Sequence, residues 1–205
     1  MLTKEYTIVE PFTKEPWNAL TFKQVKESSR NKSDNYVHTI LKKLVHDNIL
    51  NEKKVGNVIS YSLSRNVFAL NTLGYISEYG ANQAKHLPHK NIQKLISKLK
   101  ITYFSLIITG SYARQKQKPS SDLDIVIICD DKQKPSAILS QIRLESELMT
   151  PEVHPYIFTK SEFLEMLLSK EENYGKEVVR NNLTITGAKA FYSIIMDAIK
   201  NGFNG

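Results

Sequence analysis

Two apolar runs, Ile101–Ile108 and Ile125–Ile128, bracket a polar loop that opens with Gly110-Ser111 and closes with Asp122-Leu123-Asp124. This stretch, Thr109 to Asp131, limits the fold more than any other. The apolar runs are rich in β-branched residues and read as buried strands. Strand side chains alternate faces, so Asp122 and Asp124 project to the same side. Two carboxylates that close repel each other unless a cation lies between them, and a hard divalent ion with oxygen ligands meets that need. Gly110 lets a phosphate approach the backbone with no Cβ in the way. Ser111 adds a hydroxyl, and a short helix starting there would turn its free amides toward the same phosphate. Together these residues predict a holder for a metal-bound nucleoside triphosphate.

Gly110-Ser111-Tyr112-Ala113-Arg114, followed by Ser121-Asp122-Leu123-Asp124, resembles the signature of the nucleotidyltransferase superfamily, the polymerase-β-like fold. The separation of Gly110 from Asp122 is similar to that of its small, MNT-type branch. The resemblance implies an α+β domain with a mixed sheet flanked by helices. It implies Mg²⁺ or Mn²⁺ and an NTP substrate, with ATP expected. Asp122 and Asp124 would be catalytic and metal-binding, with Gly110, Ser111 and Arg114 on the phosphates; Arg114 could equally pin the loop.

Two positions depart from the signature. The second glycine is Gln115, which would stiffen or narrow the loop. The family's third carboxylate comes from a later strand, here within Glu152–Phe158, where His154 stands in register and Glu152 lies two residues earlier on the same face. Histidine is a poor ligand for magnesium. Four readings stay open: Glu152 substitutes as catalytic and metal ligand, His154 serves as a base, the site binds nucleotide without turning it over, or His154 merely precedes Pro155 at a strand entry. Small MNT proteins often act as antitoxins that adenylylate a partner toxin, but an extra N-terminal domain is atypical of that group.

Charge separates the two halves. Residues 1–100 carry 16 Lys and Arg against 8 Asp and Glu, and residues 101–205 carry 12 against 13. The basic half is not the half with the paired carboxylates, which suggests a polyanion partner for it or a solubilising lysine surface. The single cysteine, Cys129, excludes an internal disulfide and reads as a core residue. No apolar stretch approaches the ~20 residues that span a bilayer. The start lacks a signal peptide's apolar segment, so a cytoplasmic protein is expected.

In the basic half, residues 1–16 carry Pro11 and Pro16 and read as an irregular arm or edge strand, with Phe12 and Trp17 anchoring it to the first helix. Thr21 and Gln24 form a capping-box pattern ahead of a helix from Phe22. Val37, Ile40, Leu41, Leu44 and Val45 mark a longer amphipathic helix, and a hairpin turning at Gly56-Asn57 follows. This order resembles a winged helix-turn-helix domain, placed over residues 1–82, with a nucleotidyltransferase domain over 83–205. In such a domain the second helix enters the major groove and the ribbon touches the backbone. Arg30, Lys32, Asn35, His38, Thr39, Lys42, Lys53 and Lys54 are then the candidate DNA-binding residues, unless the face is simply solvated or meets protein. Val67 to about Ala81 predicts a connecting helix apolar on a wide arc, which needs a second surface, within the chain or in a homodimer. Residues 82–89 read as a linker whose His86 and His89 are loop histidines.

The expected function is metal-dependent transfer of an NMP group from an NTP to a hydroxyl acceptor, beside an N-terminal DNA-binding domain. The alternatives are a DNA-binding regulator whose nucleotidyltransferase domain senses nucleotide or is inactive, and an antitoxin that adenylylates its toxin.

Overall fold

In the computed structural model, which describes residues 5–31 and 33–205, two separate sheets organise the chain. The first lies in the basic half. Helix α1 (Tyr6–Lys14) leads to a two-residue strand β1 (Leu20–Thr21), then α2 (Phe22–Ser28) and α3 (Asp34–His46). Strands β2 (Leu50–Val55) and β3 (Val58–Leu63) form the hairpin, and β1 joins its other edge in the order β1-β3-β2. The capping box forms as Thr21 and Gln24 predict. Val37, Ile40, Leu41 and Leu44 bury the inner face of α3.

The reading of residues 1–16 as an arm or edge strand is wrong. Ile8, Val9, Phe12 and Thr13 fall on one side of α1 and are buried there, and that burial outweighs the intrahelical donor lost at Pro11. Trp17 does not anchor α1 alone; its ring meets Phe203 near the C-terminus edge-on at 5.5 Å.

Helix α4 (Val67–Gln83) is the seam of the molecule. Asn66 caps its start through Phe68 N and Ala69 N. Its wide apolar arc finds its second surface inside the chain, against α1 on one side and the last helix, α10 (Ala188–Lys200), on the other. Glu78 on α4 accepts a hydrogen bond from Ala188 N at 2.8 Å, and the buried Tyr192 hydroxyl on α10 donates to Thr13 O at 2.9 Å. The segment read as a linker is packed, with Leu87 buried. His86 and His89 bond through Nε2 to the carbonyls of Tyr112 and Ala84.

The second sheet has the order β6-β5-β4-β7 and is mixed. Helix α5 (His89–Lys98) precedes β4 (Phe104–Ile108), shorter than the apolar run that announces it, because Tyr103 is exposed. A single turn, α6 (Gly110–Ala113), follows, then β5 (Leu123–Cys129), α7 (Pro135–Ser146) and β6 (Val153–Thr159). Strand β5 runs antiparallel to β4 and parallel to β6. Helices α8 (Lys160–Leu168) and α9 (Tyr174–Arg180) lead to a fourth strand, β7 (Leu183–Thr186), which pairs with β4 and has no counterpart in the sequence reading. Leu123, Ile125, Ile127 and Cys129 pack with Ile138 and Ile142 of α7 on one face, while Val126 and Ile128 join Phe163, Val178 and Phe191 on the other. The protein is thus mixed α+β, and among the described residues no helix is long and apolar enough to cross a membrane.

Candidate active site

The ends of three neighbouring strands meet at one place: the C-terminal end of β4 and the N-terminal ends of β5 and β6. Gly110 turns the chain there with φ +65°, a left-handed conformation that suits glycine. Its missing Cβ has a second reason: any side chain would strike the carboxylate of Asp124. The bend and the acid are therefore fitted to one another, and the space above Gly110 belongs first to Asp124. The bend is held from behind by Asn181, whose Nδ2 donates to Gly110 O at 3.3 Å and whose carbonyl accepts from Thr109 Oγ1 at 2.9 Å.

Parallel pairing sets Asp124 opposite His154. His154 Nδ1 lies 3.6 Å from Asp122 Oδ2 and 4.0 Å from Asp124 Oδ1, and its Nε2 lies 3.7 Å from Glu152 Oε1. The other three candidate catalytic side chains, all carboxylates, thus surround the His154 imidazole. One ligand atom each from Asp122, Glu152 and His154 lies within 4.8 Å of the others, close enough to share a cation. Asp124 stands beside this group, turned toward Gly110. Burial raises the Asp124 pKa above the ordinary carboxylate value; His154 opposes the rise, Asp122 adds to it, and Arg114 and Glu177 act in opposite directions.

Arg114 Nη1 meets Glu177 Oε1 of α9 at 3.3 Å, so its guanidinium ties the loop to a helix while staying near Asp124. The next residue, Gln115, has φ +54°, which explains why a glycine suits this position. Asp130 and Asp131 lie at the far end of β5; Asp131 accepts from Ser161 N and Oγ, and those bonds hold its carboxyl below the ordinary range.

Sequence reasoning passed over two tyrosines. Tyr156 follows His154 by two on the same face of β6, and its ring lies 4.6 Å from that of Tyr174 on α9. The Tyr174 hydroxyl is buried with no hydrogen-bond partner among the described residues, and its pKa is raised by burial and then by Tyr156, Asp124 and Glu177. The period-two rule applied onward from His154 reaches Tyr156; Tyr174 and Asn181 carry no local signal.

The candidate DNA-binding residues lie far along the chain from this site. Arg30, Asn35, His38, Thr39 and Lys42 are exposed, and Lys32 lies outside the described residues. Thr39 Oγ1 donates to Asn35 O within α3. Lys53 and Lys54 are neighbours on β2 and therefore point to opposite faces of the ribbon.

Residues 90–179 match the sequence profile of the nucleotidyltransferase domain family, and the chain carries such a domain there. A stretch of 60 residues is 45% identical to the Methanocaldococcus jannaschii protein named "Putative protein adenylyltransferase MJ1217". That alignment covers 29% of this chain and 54% of the relative, so the chain spans about half the length of the curated relative it matches. A solved structure titled "Crystal structure of the toxin-antitoxin with AMP-PNP" is similar at a TM-score of 0.39 and 15% identity, over 56% of this chain and 87% of that one.

Proposed function

We propose that the nucleotidyltransferase domain moves an NMP group from an NTP, ATP by expectation, to a hydroxyl of a protein acceptor. The observation that carries this reading is the convergence of Asp122, Asp124, Glu152 and His154 beside the Gly110-Ser111 bend. Two carboxylates and an imidazole form a donor set that suits Mn²⁺ at least as well as Mg²⁺. A divalent ion there would neutralise phosphate charge and align the attacking and leaving oxygens. Gly110 and Ser111 hold the phosphates, and Arg114 steadies the loop through Glu177. The acceptor oxygen bonds to the α-phosphorus, the bond from that phosphorus to the bridging oxygen breaks, and pyrophosphate leaves. Glu152 or His154 takes the hydroxyl proton. A protein acceptor is supported by the name of the M. jannaschii relative.

Incubation with α-labelled ATP and Mn²⁺ or Mg²⁺ tests this reading. Covalent label on a protein acceptor in a host extract, lost in EDTA, is expected. Label that survives EDTA, or its absence with every NTP, contradicts it.

For residues 1–82 we propose a winged helix-turn-helix domain that binds duplex DNA. The support is the exposed set on α3 together with a lysine-bearing ribbon. Affinity of the full chain for duplex should fall steeply with salt, and Lys42→Ala should lower it several-fold while flattening the salt slope by about one ion. Salt-independent binding, or none at low salt, removes DNA as the partner.

A further inference from the structure

A cavity of about 420 Å³ lies between α1, α4 and the loop that follows α6, behind the Gly110 bend. Its volume falls within the range of sites for small ligands, about 300–1000 Å³. Gly80 on α4 keeps it open. Glycine inside a helix costs about 1 kcal/mol relative to alanine, and it is usually explained by close packing. Gly74, two turns earlier, fits that explanation, since a Cβ there would lie 3.0 Å from Lys189 N on α10. At Gly80 an added Cβ meets nothing within 4 Å. The space is free, and the chain leaves it unfilled.

The lining has a definite chemistry. Gly80 and Ala113 supply low walls, and Tyr6 supplies an aromatic ring. Gln83 and Gln115 offer amides, each a donor beside an acceptor, with no hydrogen-bond partner recorded among the described residues. Three charged residues line it too: Lys14 and Glu10, one turn apart on α1 and neither with an ion-pair partner among the described residues, and Arg180, which is paired with Glu172. Low walls with an aromatic ring suit a flat heterocycle, paired donors and acceptors suit its edge, and the two cations, Lys14 and Arg180, outnumber the one carboxylate on the lining, which suits a single phosphate. Asn181 lines the same cavity and also holds Gly110 by its side chain and Thr109 by its carbonyl. What fills the cavity therefore touches the residue that fixes the nucleotide bend.

We infer that this cavity is a second, regulatory site for a nucleoside monophosphate, separate from the carboxylate cluster and coupled to it through Asn181. The coupling to catalysis rests on the proposed transfer reaction, but the binding does not. By reciprocity, the monophosphate and the NTP change each other's affinity by the same factor.

Calorimetry with AMP in EDTA tests the site without engaging metal-dependent triphosphate binding. Wild-type protein is expected to bind AMP at one site. Gly80→Leu fills the cavity, retains or raises the melting temperature, and weakens AMP by about tenfold or more. Lys14→Glu, at an exposed position, weakens AMP but not adenosine. Asp124→Asn leaves AMP binding unchanged. The inference is overturned if wild-type protein takes up no AMP, if Gly80→Leu and Lys14→Glu bind it like wild type, or if Asp124→Asn abolishes it. Loss of transfer activity alone would count against the proposed function and leave the cavity site standing.

Discussion

Asp124→Asn is expected to lower nucleotidyl transfer by about 1000-fold or more while making the metal-free protein more stable at pH 7. The first effect follows because asparagine keeps the shape of Asp124 against Gly110 but removes a charge that the ion and the phosphates require. The second follows from burial, which raises the Asp124 pKa above its value in the unfolded chain. The folded protein then binds that proton more tightly than the unfolded one. Stability is highest where Asp124 is protonated, and it falls as pH rises from the ordinary carboxylate range through the raised value. Asparagine carries no such penalty, so in EDTA the variant should melt about 2 °C higher at pH 7 and close to wild type below pH 4. A variant that melts lower at pH 7, or transfers label at the wild-type rate, would show that Asp124 is a structural acid and not a catalytic one.

Gly187→Ala is expected to be the most destabilising small substitution outside the site. Gly187 joins β7 to α10 with φ +73°, and a Cβ there would meet Ser105 Cα at 2.7 Å and the Phe104 carbonyl carbon at 2.9 Å. Those are backbone atoms of β4, which cannot yield without moving the strand that leads into Gly110. Ser105 Oγ also donates to Gly187 O at 2.7 Å, so any shift breaks a buried bond. Left-handed strain and overlap together should cost about 3–5 kcal/mol and lower the melting temperature by roughly 10 °C. Melting within a degree of wild type would mean that β7 does not pair with β4 as described.

These two residues mark how far the sequence could be read. Asp124 was legible because its chemistry is local: two acids at spacing two, an apolar strand behind them and a glycine-serine bend ahead. His154 and Glu152 were legible from the same alternation, although their convergence on one imaginary ligand point needed the parallel register of β5 and β6. Gly110 was found for only part of its reason, since the overlap that any Cβ there would make with Asp124, fourteen residues further along, is invisible to local spacing. Strand β7 escaped because four residues, Leu183–Thr186, are too short to show a period and are defined by their partner β4. Helix α1 escaped because Pro11 is the strongest local signal in its segment, and the burial of Ile8, Val9 and Phe12 that overrides it comes from other elements. Tyr174 and Asn181 belong to the site through tertiary packing alone. Where the chemistry depends on neighbours in the chain, the residues announce it; where it depends on neighbours in space, only the fold does.

The seam at α4 joins these observations. Glu78 caps α10 and Tyr192 reaches Thr13, so the basic half is fastened to the helix that Gly187 begins. A ligand on the exposed face of α3 would act on a unit tied by these hydrogen bonds to the helix that follows β7.

Titration of wild-type protein with each of the four NTPs, in Mn²⁺, in Mg²⁺ and in EDTA, tests the shared carboxylate-and-bend site most directly. Metal-dependent heat from at least one NTP, absent in EDTA and absent in Asp122→Asn, is the predicted result. NTP binding that ignores both the metal and Asp122, or no binding under any of these conditions, would contradict it.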